Sequence, residues 1–161
     1  MNDWLLAHEL SIRLSFFLGG FLIIALWETV SPCRTRQYSR VLRWSNNLLL
    51  VVLNSVLLRL LFPIAAVGVA LWAEEQGYGL FNVLDWPLWI SLILAVVMLD
   101  MLIYFQHVIF HKVPMLWALH KVHHVDPDYD VTTGARFHPV EIILSMLIKM
   151  IAIVLLGPSA A

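Results

Sequence analysis

Four apolar stretches, each close to the length needed to cross a bilayer, constrain this chain more than any other feature. A helix rises about 1.5 Å per residue and the hydrocarbon core is about 30 Å thick, so about 20 mainly apolar residues make one span. The stretches lie at about residues 14–30, 47–72, 87–110 and 140–156. Backbone polar groups cannot stay unpaired in lipid, so runs of this kind read as helices. The second contains Pro63, which a spanning helix tolerates as a kink when neighbours satisfy the freed carbonyl. The fourth is short and carries Lys149, which leaves tilted, interfacial and re-entrant placements open. Of the 161 residues, 61% are hydrophobic and 13% charged, about half the charged share of a soluble domain. The expected fold is all-α: one integral membrane domain over 1–161, a helical bundle with about four spans and a histidine-rich segment at one membrane face.

Ten Lys+Arg against eleven Asp+Glu leave no basic surplus for a phosphate backbone, which argues against a nucleic-acid partner. The basic residues are nonetheless unevenly placed. Arg34, Arg36, Arg40 and Arg43 lie between the first and second spans, whereas the joint at 73–79 holds Glu74 and Glu75 and no Lys or Arg. Positive charge marks the cytoplasmic side, so the arginine segment is expected inside and the N-terminus outside. The third span then returns inward at His107–Lys112, and Lys112, Lys121 and Arg136 favour the same orientation. The single cysteine, Cys33, cannot form an intrachain disulfide. No basic segment followed by a small-residue cleavage site precedes the first apolar run, so no cleavable signal peptide is expected.

Six of the seven histidines fall between positions 107 and 138, which makes that segment the chemical centre of the sequence. The third span ends in His107-Val-Ile-Phe-His111, and residues four apart share one helical face. His120-Lys-Val-His123-His124 follows, with offsets of three and four that again fit one face if the stretch is helical. Neutral imidazole binds zinc, copper, iron or nickel, and five such side chains exceed what one tetrahedral zinc needs. Two metals become plausible. The alternative, that these are amphipathic residues at a membrane boundary, suits one or two histidines better than two same-face sets. His8 stands apart and reads as an ordinary surface residue.

Asp100, Tyr104, His107 and His111 continue one stripe along the third span. A carboxylate at membrane depth requires a partner. Asp100 is therefore expected either to accept the second N–H of a metal-bound histidine or to pair with Arg59 or Lys149. The segment from Asp126 to Gly134, with an Asp-Pro step and three aspartates, reads first as turn chemistry. His138-Pro139-Val-Glu141 reads as a helix opening, with proline at the first helical position and an acid in the first turn. His138 is also a candidate sixth ligand.

These residues resemble the fatty acid hydroxylase and sterol desaturase superfamily of membrane di-iron oxygenases. The resemblance rests on the HxxxH of His107 and His111, the HxxHH of His120, His123 and His124, and the Arg136-Phe-His-Pro-Val-Glu141 stretch opening the next apolar segment. It covers about Pro87 to Leu156; the first two spans match only as hydrophobic helices. Each motif alone is weak, but their order and spacing beside a span are specific. The resemblance implies a cytoplasmic centre of two iron ions, in which the five histidines of the two boxes are catalytic ligands. His138 would add a ligand, with Arg136 and Glu141 at or beside the site. It further implies O2 as cosubstrate, electrons from a separate electron-transfer protein, and a lipid substrate of the sterol or fatty acyl class. Histidine cages also bind zinc readily.

The family pattern includes a third histidine box after a further hydrophobic segment, and no histidine follows His138 here. The expectation is a truncated or incomplete piece, or a half completed by a second chain. An acyl lipid desaturase also uses such boxes, but the Arg136–Glu141 stretch favours the hydroxylase side. Val108 occupies the position at which a zinc protease of the HExxH type needs its glutamate. A bis-histidine haem would suit single histidines on facing helices better than clusters. A non-catalytic metal-binding membrane fragment is the alternative from a different functional class.

Overall fold

Helices and short joints account for the whole of the computed structural model, which describes residue 4, residues 7–84 and residues 86–158. The outer ends of the 1–161 domain reading lie outside the described residues. In chain order the helices are α1 (Glu9–Val30), α2 (Arg40–Leu61), α3 (Ala65–Glu75), α4 (Leu80–Val83), α5 (Leu88–Lys112), α6 (Pro114–His124) and α7 (Pro139–Leu156). A 3-10 turn at Thr133–Ala135 precedes α7, and there is no strand among the described residues. Four stretches are long and apolar enough to cross a membrane: Glu9–Val30, Arg40–Val83, Leu88–Lys112 and Pro139–Leu156.

The distribution of side chains fits a lipid solvent. Large apolar residues face outward, including Phe16 at 80% exposure and Val41 at 79%. The buried apolar positions are mostly small: Ala25, Ala70, Ala73 and Ala95. Apolar side chains gain little by leaving lipid for one another, so helices associate through close backbone approach and polar contacts.

The stretch expected as one kinked span at 47–72 is two helices. Pro63 lacks an N–H and pushes the preceding residue out of the helical region, and Phe62 accordingly sits at φ −129°, ψ 68°. Ala65 then takes a left-handed φ of 55°, a conformation costing a non-glycine residue about 1–2 kcal/mol. Despite the break, α2 and α3 follow one direction along α7. Asn54 Nδ2 donates to the Phe137 carbonyl at 2.9 Å, just before the start of α7. Gly79, beyond α3, meets Gly157 at the end of α7, with no room for a Cβ and a φ of +98°.

Local sequence sets both ends of the histidine-bearing unit. Val113 precedes Pro114 and is extended (φ −91°, ψ 118°), which ends α5; Pro114 then opens α6 in the N-terminal position that suits it. Pro139 opens α7 in the same way, and Gly157 closes it in the left-handed conformation.

The acidic segment after α6 does more than turn the chain. Asp126 accepts from Arg43 Nε at 2.7 Å and Nη2 at 2.8 Å, from Asn47 Nδ2 at 3.1 Å and from Thr133 Oγ1 at 2.8 Å. Asp130 pairs with Arg43 Nη1 at 2.9 Å and accepts from Trp44 Nε1 at 3.0 Å. Arg43 and Asp126 are 7% and 6% exposed, so this clamp between α2 and the loop is a buried ion pair. Arg43 is thus more than a topological charge.

Burial by itself would raise the Asp126 pKa, but the hydrogen bonds from Arg43, Asn47 and Thr133 outweigh it and hold the carboxyl well below its usual 3.8. The folded pKa is depressed, so the stabilisation is present above the unfolded value and is lost as pH falls below it. Asp126→Ala should cost about 3 kcal/mol, because it strips a buried guanidinium of its main partner. Resistance to SDS unfolding, followed by helicity in detergent, measures this. A variant as resistant as the parent at pH 7 would show that the clamp contributes nothing.

Candidate metal centre

The corner at Val113–Pro114 places the last turns of α5 beside the second half of α6. His107 and His111 lie one turn apart on α5, and His120 and His124 lie one turn apart on α6. One ring nitrogen from each of the four falls within 4.8 Å of all the others. His111 Nε2 is 3.1 Å from His107 Nε2, and His124 Nε2 is 3.3 Å from His120 Nε2. The His107 and His120 rings meet edge to face at 4.6 Å, joining the two pairs.

His120 is the buried member, and its environment sets its charge and tautomer. Burial, followed by the neighbouring His107 and His111, pushes its pKa down to about 4. The neutral ring donates from Nδ1 to Glu141 Oε1 at 2.6 Å. The lone pair of Nε2 is then left facing the cluster, the state a metal ligand requires. Glu141 reaches this position because it stands in the first turn of α7. His107, His111 and His124 are exposed, so the cluster is closed on the His120 side and open on the other. Trp117 flanks the open side, 5.2 Å from His111 and 5.6 Å from His124 between ring centres.

The other candidate residues lie around or away from this group. His123 is buried and stacks on Phe137, with ring centres 4.8 Å apart and planes within 5°. Its Nε2 lies 3.1 Å from the Tyr129 hydroxyl, and its Nδ1 is buried without a partner among the described residues. Burial first, and then neighbouring His120, lowers its pKa. His138 is turned to the backbone: Nδ1 accepts the Val140 N–H at 3.1 Å and caps α7. Arg136 Nη1 donates to Asn47 Oδ1 at 3.3 Å, which ties it to the clamp. Asp100 is exposed on α5 and makes no hydrogen bond or ion pair among the described residues, with Arg59, Lys149 or a histidine alike.

Sequence reasoning missed Tyr129, Phe137 and Trp117. Trp117 carried a signal, since it lies three residues before His120 and seven before His124 on the same helical face. Tyr129 and Phe137 sit in irregular chain, where no period reports which way a side chain points.

Residues 92–161 match the family model for fatty acid hydroxylase, a stretch that contains both histidine pairs, His123, His138 and Glu141. Neither the curated proteins nor the solved structures yield a significant match to the chain.

Removing the carboxylate that orients a ligating histidine typically costs 10–100-fold in metal affinity, and Glu141→Gln should fall in about that range. His138→Ala should leave the affinity unchanged and cost about 1 kcal/mol of stability through loss of the cap. Competition titration with a chromophoric chelator for zinc or ferrous ion reads both variants. Equal affinities for Glu141→Gln and the parent would detach the carboxylate from the cluster.

Proposed function

Starting from residues 92–161 as a fatty acid hydroxylase domain, we propose that this chain takes part in membrane-bound oxidation of a lipid C–H bond. The reaction would be of the hydroxylase or desaturase type, using O2 at a histidine-ligated di-iron centre. The observation that carries this reading is the four-histidine group, formed where a membrane-length helix ends and inside the matched segment.

The residues fit a metal. Four ring nitrogens converge, and the buried one belongs to a histidine that is neutral at pH 7 and oriented by a carboxylate. His107, His111, His120 and His124 would hold the first ion. A second ion would draw on His123 and Glu141, whose Nδ1 and Oε2 are buried and unpartnered among the described residues. When bound, the iron pair supplies the means to reduce O2 and attack an unactivated C–H bond.

The chain's own residues do the rest. Glu141 holds the His120 proton away from the cluster, and Phe137 fixes the plane of His123. The outward-facing apolar side chains of α5 offer an acyl or sterol body a path along the helix to the open side of the cluster. Reduction of O2 needs two electrons beyond those of the C–H bond, and these would come from a separate electron-transfer protein.

Sidedness has its own support. The backbone N–H groups of Gln37 and Tyr38, within the arginine-rich segment, donate to the Asp128 carboxylate at 2.8–3.0 Å. The arginine segment and the loop after α6 therefore share one side of the bundle. By the distribution of positive charge that side is cytoplasmic.

A second reading has one observation in its favour: four histidines in a single group suffice for one ion, as in a non-catalytic metal site. The test is metal content per chain in detergent after iron supplementation, followed by an oxygen- and reductant-dependent assay on sterol and fatty acyl lipids. Two irons per chain with oxidised lipid is the outcome expected for the oxygenase. One metal with no oxidised product would instead support the non-catalytic site or a need for further histidines from a second chain.

A further inference from the structure

Among the described residues, Trp117 is the one aromatic side chain outside the histidines whose ring meets candidate ligands on both helices. Its ring centre lies 5.2 Å from that of His111 on α5 and 5.6 Å from that of His124 on α6. The corner between the helices puts it there. Pro114 opens α6, Trp117 stands in the first turn, and its backbone N–H closes that turn on the Val113 carbonyl at 2.8 Å. The indole is thereby brought across from His111, in the last turn of α5.

The ring planes carry more information than the distances. The indole is tilted by 34° to His111 and by 35° to His124, while those two imidazoles stand at 65° to each other with centres 4.9 Å apart. The indole plane thus lies midway between the two rings and leans on both.

His111 and His124 have no polar partner to orient them from outside the cluster. A metal-bound histidine ordinarily gives its second N–H to a carboxylate or carbonyl, as His120 does to Glu141. Among the described residues, the hydrogen-bond contacts of His111 and His124 run only to His107 and His120, through Nε2 atoms inside the cluster. Both rings are exposed, so without a neighbour each would lose rotational freedom when an ion binds. The indole removes part of that freedom beforehand.

Metal binding strengthens the same contact. An ion at Nε2 draws charge out of the imidazole, and the electron-rich face of an indole favours a ring that has become more positive. An interaction stronger in the bound state adds to affinity, whereas one equal in both states adds only to the fold.

We propose that Trp117 is a positioning residue of the metal centre: its indole sets the angle between His111 and His124 and so ties the ligand pair of α5 to that of α6. The inference rests on the ligand set of the proposed centre and not on lipid oxidation.

The test uses the full chain in detergent with Co2+ as the probe, whose visible absorption reports the number and angles of its ligands. Affinity is read by titration in competition with a chelator. Trp117→Ala should bind Co2+ about tenfold more weakly, the scale of one aromatic ring pair, with a changed absorption spectrum. Trp117→Phe should recover part of the affinity and the parent spectrum, because it keeps a flat aromatic face beside the imidazoles. Trp72→Phe, on α3 beside Tyr78, should leave both unchanged. Circular dichroism on each variant separates a lost ligand angle from a lost fold. Full affinity and an unchanged spectrum in folded Trp117→Ala would overturn the proposal alone, as would a loss of affinity that follows a loss of helicity. A parent that binds no Co2+ would overturn the ligand set, and the proposal with it.

Discussion

The buried Arg43–Asp126 ion pair is the interaction on which the arrangement depends. In lipid, apolar surface gives helices little reason to prefer one neighbour to another, so polar contacts decide which faces meet. Asp126 follows α6 by two residues, and Arg43 and Asn47 stand one turn apart on α2. Their contact fixes the histidine-bearing helix against the first half of the chain. Arg136 joins the same node through Asn47, which ties the approach to α7 to it as well. The histidine site is therefore held from behind by a polar cluster that contributes no ligand.

Periodicity made much of the site legible. HxxxH and HxxHH each predict a shared helical face, and His107, His111, His120 and His124 do converge. What periodicity could not supply was the angle between the two helices. That angle comes from Val113–Pro114, a backbone constraint that is visible in the sequence but informative only once its consequence in space is known. His123 shows the opposite case. It belongs to the same motif and lies next to His124, yet its Nε2 meets Tyr129 and its ring stacks on Phe137, both from irregular chain.

The number and kind of spans were readable because hydrophobic length is a one-dimensional property. The division of the second stretch was not, because a proline in a membrane helix can bend it or break it, and packing along α7 decides which. Asn54 at the head of α7 and Gly79 at its foot hold the two pieces in line, so the break survives without redirecting the chain. The aspartates after α6 were equally ambiguous. Turn residues and clamp residues have the same composition, and only the burial of Arg43 separates the two roles.

Glu141 shows how local and distant explanations coincide. Proline at the first helical position and an acid in the first turn are what any helix favours, and they fully explain His138-Pro139-Val-Glu141 as a helix opening. The same turn delivers the carboxylate to His120 Nδ1, and Pro139 at the first helical position fixes where that turn begins. The device that starts α7 is thus the device that orients the buried histidine. A residue can satisfy a local rule and serve the site at once, so a sufficient local reason for Glu141 was never an argument against its role beside the cluster.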